Sequence, residues 1–120
     1  YLIKKYNSKK FNVKIISCPT IRNLNKLALS SRNNLLTKNQ LIKAEKISKK
    51  IFLFKKKISQ NRNINKLVYK LKKELTNLFN IKFDYLELRN KSNLQVSNKI
   101  KNSKLFVAYY INKVRLIDNF

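Results

Sequence analysis

The stretch KLFVAYYINKVRLID, residues 104–118, decides the fold. Lys104 to Ile111 is strongly apolar and predicts a strand. Asn112 and Lys113 follow as a two-residue hairpin turn, with asparagine tolerant of the positive φ such turns require. Val114 to Asp118 is the return strand. A further strand is predicted upstream in IKFDYLELR, Ile81 to Arg89. There Ile81, Phe83 and Tyr85 share one parity, and Leu86 and Leu88 share the other. Such a strand either contains a bulge or is buried on both sides.

Two helices precede this sheet. TKNQ is a capping box, with Thr37 at the N-cap and Gln40 at N3. Leu36 and Leu41 occupy the hydrophobic-staple positions. Ala44, Ile47, Ile51, Phe54 and Ile58 then repeat at spacings of three and four, one apolar stripe. IFLF, Ile51 to Phe54, belongs to this buried face and is far too short for a membrane anchor. Lys43, Lys46, Lys49, Lys50 and Lys55 to Lys57 fall mainly off the stripe, on a solvated face. SQNRN is a polar loop, after which Asn63 caps a second helix with Ile64, Leu67, Leu71, Leu75 and Leu78 on one side. Two helices so closely linked pack as an antiparallel hairpin.

Nearer the start, Leu2, Ile3 and Tyr6 have helical spacing within Tyr1 to Lys10. FNVKIIS, Phe11 to Ser17, alternates like a strand. Helix then strand is half of a parallel crossover unit, so its partner strands are expected upstream. Pro19 stops the strand, and TIRNLNK forms an irregular connection. The expected fold is α/β, the end of an α/β unit leading into a helical hairpin on a small antiparallel sheet, with a boundary near Asn34 to Thr37.

Composition invites a different reading. The chain holds 29 Lys and Arg against 5 Asp and Glu, with a formal charge of +24. That balance suggests a basic RNA-binding or ribosomal protein. Yet only five of the basic residues are arginine, the residue best suited to bidentate phosphate contacts. Lys, Asn and Ile together make up 55 of the 120 residues, and glycine is absent. AT-rich codons specify those three residues, so the charge reflects mutational bias more than a nucleic-acid partner. Hydrophobic residues are 43% of the chain, which argues against disorder. There is no secretory signal and no membrane-length apolar run, so a cytoplasmic protein without membrane contact is expected. Cys18 is the lone cysteine, expected as a small buried residue, and it excludes an intramolecular disulfide. With no histidine, the chain has no His-based acid–base chemistry and no His metal site.

Amid the lysines, LALSSRN, Leu27 to Asn33, holds two adjacent serines beside an arginine. Serine donates a hydrogen bond without a fixed charge, and arginine presents a planar fork to phosphate oxygens. After an α/β strand, such a loop lies where nucleotides usually bind. By itself the S-S-R run reads more readily as an ordinary polar turn before a capped helix.

The surroundings extend that reading. CPTIRNLNKLALSSRNNLLT resembles the pantothenate synthetase pattern of P-T-x-R followed by D-G-L-A-x-S-S-R-N and a Leu-Thr or Leu-Ser helix start. FDYLELRNKSNLQ resembles that family's D-Y-L-E strand, and LFVAYYINKVRLIDN its last hairpin. The resemblance implies that residues 1–33 are the end of a Rossmann-like nucleotide-binding domain and residues 34–120 a small C-terminal α+β domain. It implies an ATP-dependent acid–amine ligase that joins pantoate to β-alanine through a pantoyl adenylate, with Mg²⁺ accompanying ATP and a homodimer as the full-length form. It implies that Leu29, Ser30, Ser31 and Arg32 line the ATP phosphates as a mobile flap, with Arg32 stabilising the transition state. Ile21 would hold the adenine or ribose end through its main chain, while Asn33 and Thr37 fix the loop and the helix after it. No protein metal ligand and no other catalytic residue is implied in this chain, since the family's H-x-G-H motif and catalytic lysine belong upstream. The chain is therefore expected to be a fragment or a decayed remnant. Where the family has Asp-Gly, this chain has Asn25-Lys26, and lysine at a positive φ costs ~1–2 kcal/mol.

Overall fold

The computed structural model describes residues 16–58 and 63–120. After a short 3-10 turn, Ser31–Leu35, come helix α1 (Lys38–Lys57), helix α2 (Ile64–Phe79) and strands β1 (Lys82–Asn90), β2 (Ser103–Ile111) and β3 (Val114–Asn119). The strands form one antiparallel sheet in the order β1-β2-β3. The helices pack on it, α2 along β1 and α1 against β2. This is the α+β arrangement expected from residue 34 onward. The expected helix at Tyr1 to Lys10 and most of the expected strand at Phe11 to Ser17 lie outside the described residues. Ile16 and Ser17 carry no regular secondary structure.

Each element forms for a local reason. The Thr37–Gln40 capping box is present in both directions, with Gln40 Oε1 accepting from Thr37 N–H at 2.9 Å and Thr37 Oγ1 accepting from Gln40 N–H at 3.4 Å. Along α1, Ala44, Ile47 and Ile51 are fully buried, with Leu36, Leu41, Phe54 and Ile58 packed partly buried against the same core. Burying each such large side chain contributes ~1.5–3 kcal/mol before the cost of ordering it. On α2 the buried face is Ile64, Val68, Leu71 and Leu75. Leu67 is half-buried, and Leu78 is 57% exposed, which corrects the expected stripe. At 100° per residue, Phe79 lies closer than Leu78 to the azimuth of Leu75, and it is Phe79 that packs against the core. Asn63 holds the N-cap position, but it caps through its carbonyl, which accepts from Leu67 N–H at 3.2 Å, and not through its side chain. Asn80 ends α2 in the left-handed conformation usual for glycine, which this chain lacks.

The two open readings of β1 resolve as a bulge. Phe83 pairs with Tyr109 and Tyr85 with Ala108, leaving Asp84 as the extra residue. That insertion shifts the buried set from Ile81 and Phe83 to Leu86 and Leu88. The turn after β2 is Asn112-Lys113, with Asn112 at φ 51° and Ile111 paired to Val114. Central strand β2 sends Leu105, Val107, Tyr109 and Ile111 into the core, none more than 2% exposed.

Tyr109 is the one discord in that core. Its ring packs against Phe83 at 5.7 Å between centroids, but its hydroxyl is buried with no hydrogen-bond partner. Burial pushes its pKa well up, and the neighbouring Ser48 hydroxyl opposes that shift without meeting hydrogen-bond geometry. An unsatisfied buried hydroxyl costs ~1–3 kcal/mol of desolvation. Tyr109→Phe is therefore expected to stabilise the fold by ~1 kcal/mol, read as a higher urea midpoint. A loss of stability would show that the hydroxyl has a partner in solution.

Cys18 corrects another expectation. It is free and exposed, within a segment, residues 16–20, that is exposed throughout. No helix among the described residues is long and apolar enough to cross a membrane.

Candidate nucleotide-phosphate site

Between Pro19 and α1 the chain closes a small loop on itself. Arg22 and Ala28 form an antiparallel bridge, Asn23 N–H donates to the Leu27 carbonyl at 2.9 Å, and Leu29 N–H donates to the Ile21 carbonyl at 3.0 Å. Leu27, only 5% exposed, plugs the loop into the core. Lys26 lies at the loop's turn with φ 71°, in the region that favours glycine. Three contacts offset the strain of ~1–2 kcal/mol. Lys26 N–H donates to the Asn23 carbonyl at 3.0 Å, its carbonyl accepts from Arg22 Nη1 at 2.8 Å, and its ammonium lies 5.2 Å from the Phe52 ring centroid.

Arg22 ties the loop to the end of the sheet. Its guanidinium grips Asp118 with two hydrogen bonds, Nη1 to Oδ2 at 2.6 Å and Nη2 to Oδ1 at 2.8 Å. Nη2 also donates to the Asn119 carbonyl at 2.8 Å, and the group stacks over Phe120, 4.5 Å from its centroid. On the other side, the Glu45 carboxylate of α1 accepts from Asn23 Nδ2 at 2.6 Å and from Asn25 Nδ2 at 2.8 Å. An aspartate at position 25, as in the resembling pattern, would set two carboxylates against each other here. Asn25 supplies a donor instead.

The S-S-R run emerges from this frame at the start of the 3-10 turn. Ser30 Oγ accepts from Arg32 N–H at 3.2 Å, which leaves its hydroxyl hydrogen free to donate outward. Asn33 reaches back, donating from Nδ2 to the Ala28 carbonyl at 3.0 Å. An open depression of about 560 Å³ is lined by Leu29, Ser30 and Ser31 together with Asn23, Leu27, Asn33, Asn34 and Leu41. Of the predicted site residues, then, Leu29, Ser30 and Ser31 line one wall, and Ile21 joins them by its backbone bond to Leu29. Ile21 and Arg32 stand outside the depression, both exposed.

Charge pairing sets Arg32 apart. Among the described arginines, Arg22 holds Asp118, Arg89 holds Glu87 and Arg115 holds Asp84. The Arg32 guanidinium has no partner among the described residues. The remaining carboxylates are Glu74, paired with Lys50, and Glu45 on its two asparagines. No group of three or more potential metal ligands forms among the described residues. Sequence reading missed Asn23 and Glu45. The signal available was rarity, since five acids in a chain with 29 cations are each worth locating.

The pantoate–β-alanine ligase family model matches residues 2–120. The pantothenate synthetase of Clostridium acetobutylicum is 37% identical over 92% of this chain, and that of Flavobacterium psychrophilum is 31% identical over 97%. The chain spans only 40% and 42% of those two relatives. Among solved structures, the ligase of Francisella tularensis, determined with beta-gamma ATP and β-alanine, is 34% identical with a TM-score of 0.65, covering 99% of this chain and 38% of that one. The Thermus thermophilus pantothenate synthetase, 24% identical over 95% of this chain and 42% of its own, shares the fold with a TM-score of 0.81. These likenesses lend no support to a ribosomal or RNA-binding protein or to a decayed remnant. A family match along nearly its whole length, together with a shared fold, places this chain in the pantoate–β-alanine ligase family.

Proposed function

We propose that this chain supplies the phosphate-binding segment and the C-terminal α+β domain of an ATP-dependent ligase that condenses pantoate with β-alanine. Residues 1–33 are the end of the nucleotide-binding domain and residues 34–120 the small C-terminal domain, so the Arg22–Asp118 pair crosses between them. The setting is a cytoplasmic, homodimeric enzyme. In the first step a pantoate carboxylate oxygen attacks the α-phosphorus of ATP, giving pantoyl adenylate and pyrophosphate. In the second, the β-alanine amine attacks the acyl carbon, and AMP leaves as pantothenate forms.

Both the crowded α-phosphorus centre and the departing pyrophosphate concentrate negative charge, which preorganised donors stabilise. Ser30 and Ser31 offer hydroxyl donors, Arg32 a permanent cation, Leu29 its place on the wall, and Ile21 main-chain groups for the adenine or ribose end. The observation that carries this reading is the Arg32 guanidinium beside two serines, without a partner among the described residues, in a protein whose other described arginines are all engaged by carboxylates. Mg²⁺ is expected to travel with the ATP phosphates. The residues described here form no cage for it, since their carboxylates already hold cations and amides.

The test is reconstitution. Joined to the N-terminal half of a family member, this chain is expected to form pantothenate in an ATP-dependent assay, and to lose that activity when Arg32 is removed.

A further inference from the structure

Two of the chain's five carboxylates serve the loop at residues 22–27, and one of them makes an unusual choice of partner. Asp118 takes a cation, Arg22. Glu45 takes none. It lies on α1 one turn before Lys49, an arrangement in which glutamate N-terminal to lysine favours a surface pair. In a chain of formal charge +24, cations compete for every carboxylate. Glu45 nevertheless directs one oxygen to Asn23 and the other to Asn25, two neutral amides of the loop.

The bonds continue toward the S-S-R run. Asn23 donates to Glu45 through Nδ2 and accepts from Leu27 N–H through Oδ1 at 3.0 Å. The next residue, Ala28, gives its carbonyl to Asn33, which directly follows Arg32. A contiguous path therefore runs from the α1 surface to the base of the phosphate-binding segment without passing through bulk solvent or a flexible lysine stem.

We infer that Glu45 is a positioning residue for Ser30, Ser31 and Arg32, fixing the register of that segment through Asn23 and Asn25, an inference that rests on the ATP reading of the segment. A carboxylate suits the task because its two oxygens accept two amide donors at once. A glutamine keeps one acceptor oxygen and loses the other, so it retains half of the grip.

The experiment uses the chain joined to a family N-terminal half and compares Glu45→Gln, Glu45→Ala and Arg32→Ala. The expected result is graded: KM for ATP rises ~3-fold in Glu45→Gln and ~10-fold in Glu45→Ala, while KM for β-alanine and the thermal midpoint barely move, because misplacement of a substrate-holding group is felt by that substrate. Amide exchange at Leu27 and Leu29 is expected to quicken in both Glu45 variants, with exchange in β2 unchanged. An unchanged KM for ATP together with an unchanged adenylation rate in both Glu45 variants, beside a crippled Arg32→Ala enzyme, overturns the positioning role and leaves the ATP reading standing. Equal losses for every substrate with a lower thermal midpoint also overturn it, since they mark a structural role alone. Normal ATP dependence in Arg32→Ala removes the ATP reading and this inference with it.

Discussion

Arg32→Ala, in a ligase reconstituted around this chain, is expected to slow adenylate formation by ~10²-fold or more while leaving the thermal midpoint unchanged. The two halves of that expectation have separate causes. Stability is indifferent because the guanidinium is exposed and has no partner among the described residues. The rate is expected to suffer because, in the proposed adenylation, charge develops on the phosphoryl oxygens and pyrophosphate in the transition state, where a positioned cation acts most strongly. Arg32→Lys is expected to recover only part of the rate, since an ammonium supplies a point charge without the planar fork. Single-turnover release of pyrophosphate isolates the step. A near-normal rate in Arg32→Ala would remove this residue from the mechanism and, with it, the main support for the nucleotide reading.

The second large effect concerns the fold. Leu75→Ala is expected to destabilise the domain by ~3 kcal/mol or more, against a total of ~5–15 kcal/mol for a native domain. Leu75 is fully buried on the face of α2 that packs along β1, so truncation removes transfer energy and leaves a cavity beneath the sheet. Leu78, three residues on, was expected on the same stripe but is 57% exposed, so Leu78→Ala is expected to change stability by less than ~0.5 kcal/mol. Urea unfolding of both variants separates the expected stripe from the observed one. Equal losses would put Leu78 back in the core.

How far the sequence reaches is clear from particular residues. The capping box at Thr37 and Gln40, the Asn112-Lys113 turn and the strongly apolar strand β2 were all legible, and all appear in place. Each depends on neighbours within a few positions, where spacing alone brings donors to acceptors and apolar side chains to one face. The β1 parity break was visible but ambiguous until the pairing with β2 showed Asp84 as the extra residue. Cys18 was misjudged because the bland expectation for a lone cysteine is burial, whereas the segment around it is exposed.

The amino-acid string by itself determined the elements and the donor set: two capped or periodic helices, a hairpin, and hydroxyls beside a guanidinium. Only the tertiary structure decided which charges were already taken. Arg22 meets Asp118 across 96 positions, and Glu45 meets Asn23 and Asn25 across 22 and 20. No local spacing rule relates residues so far apart, because their approach follows from packing the loop and α1 on one sheet. That approach commits Arg22 to structure and leaves Arg32 without a partner among the described residues, although both are arginines within one short stretch of a very basic chain.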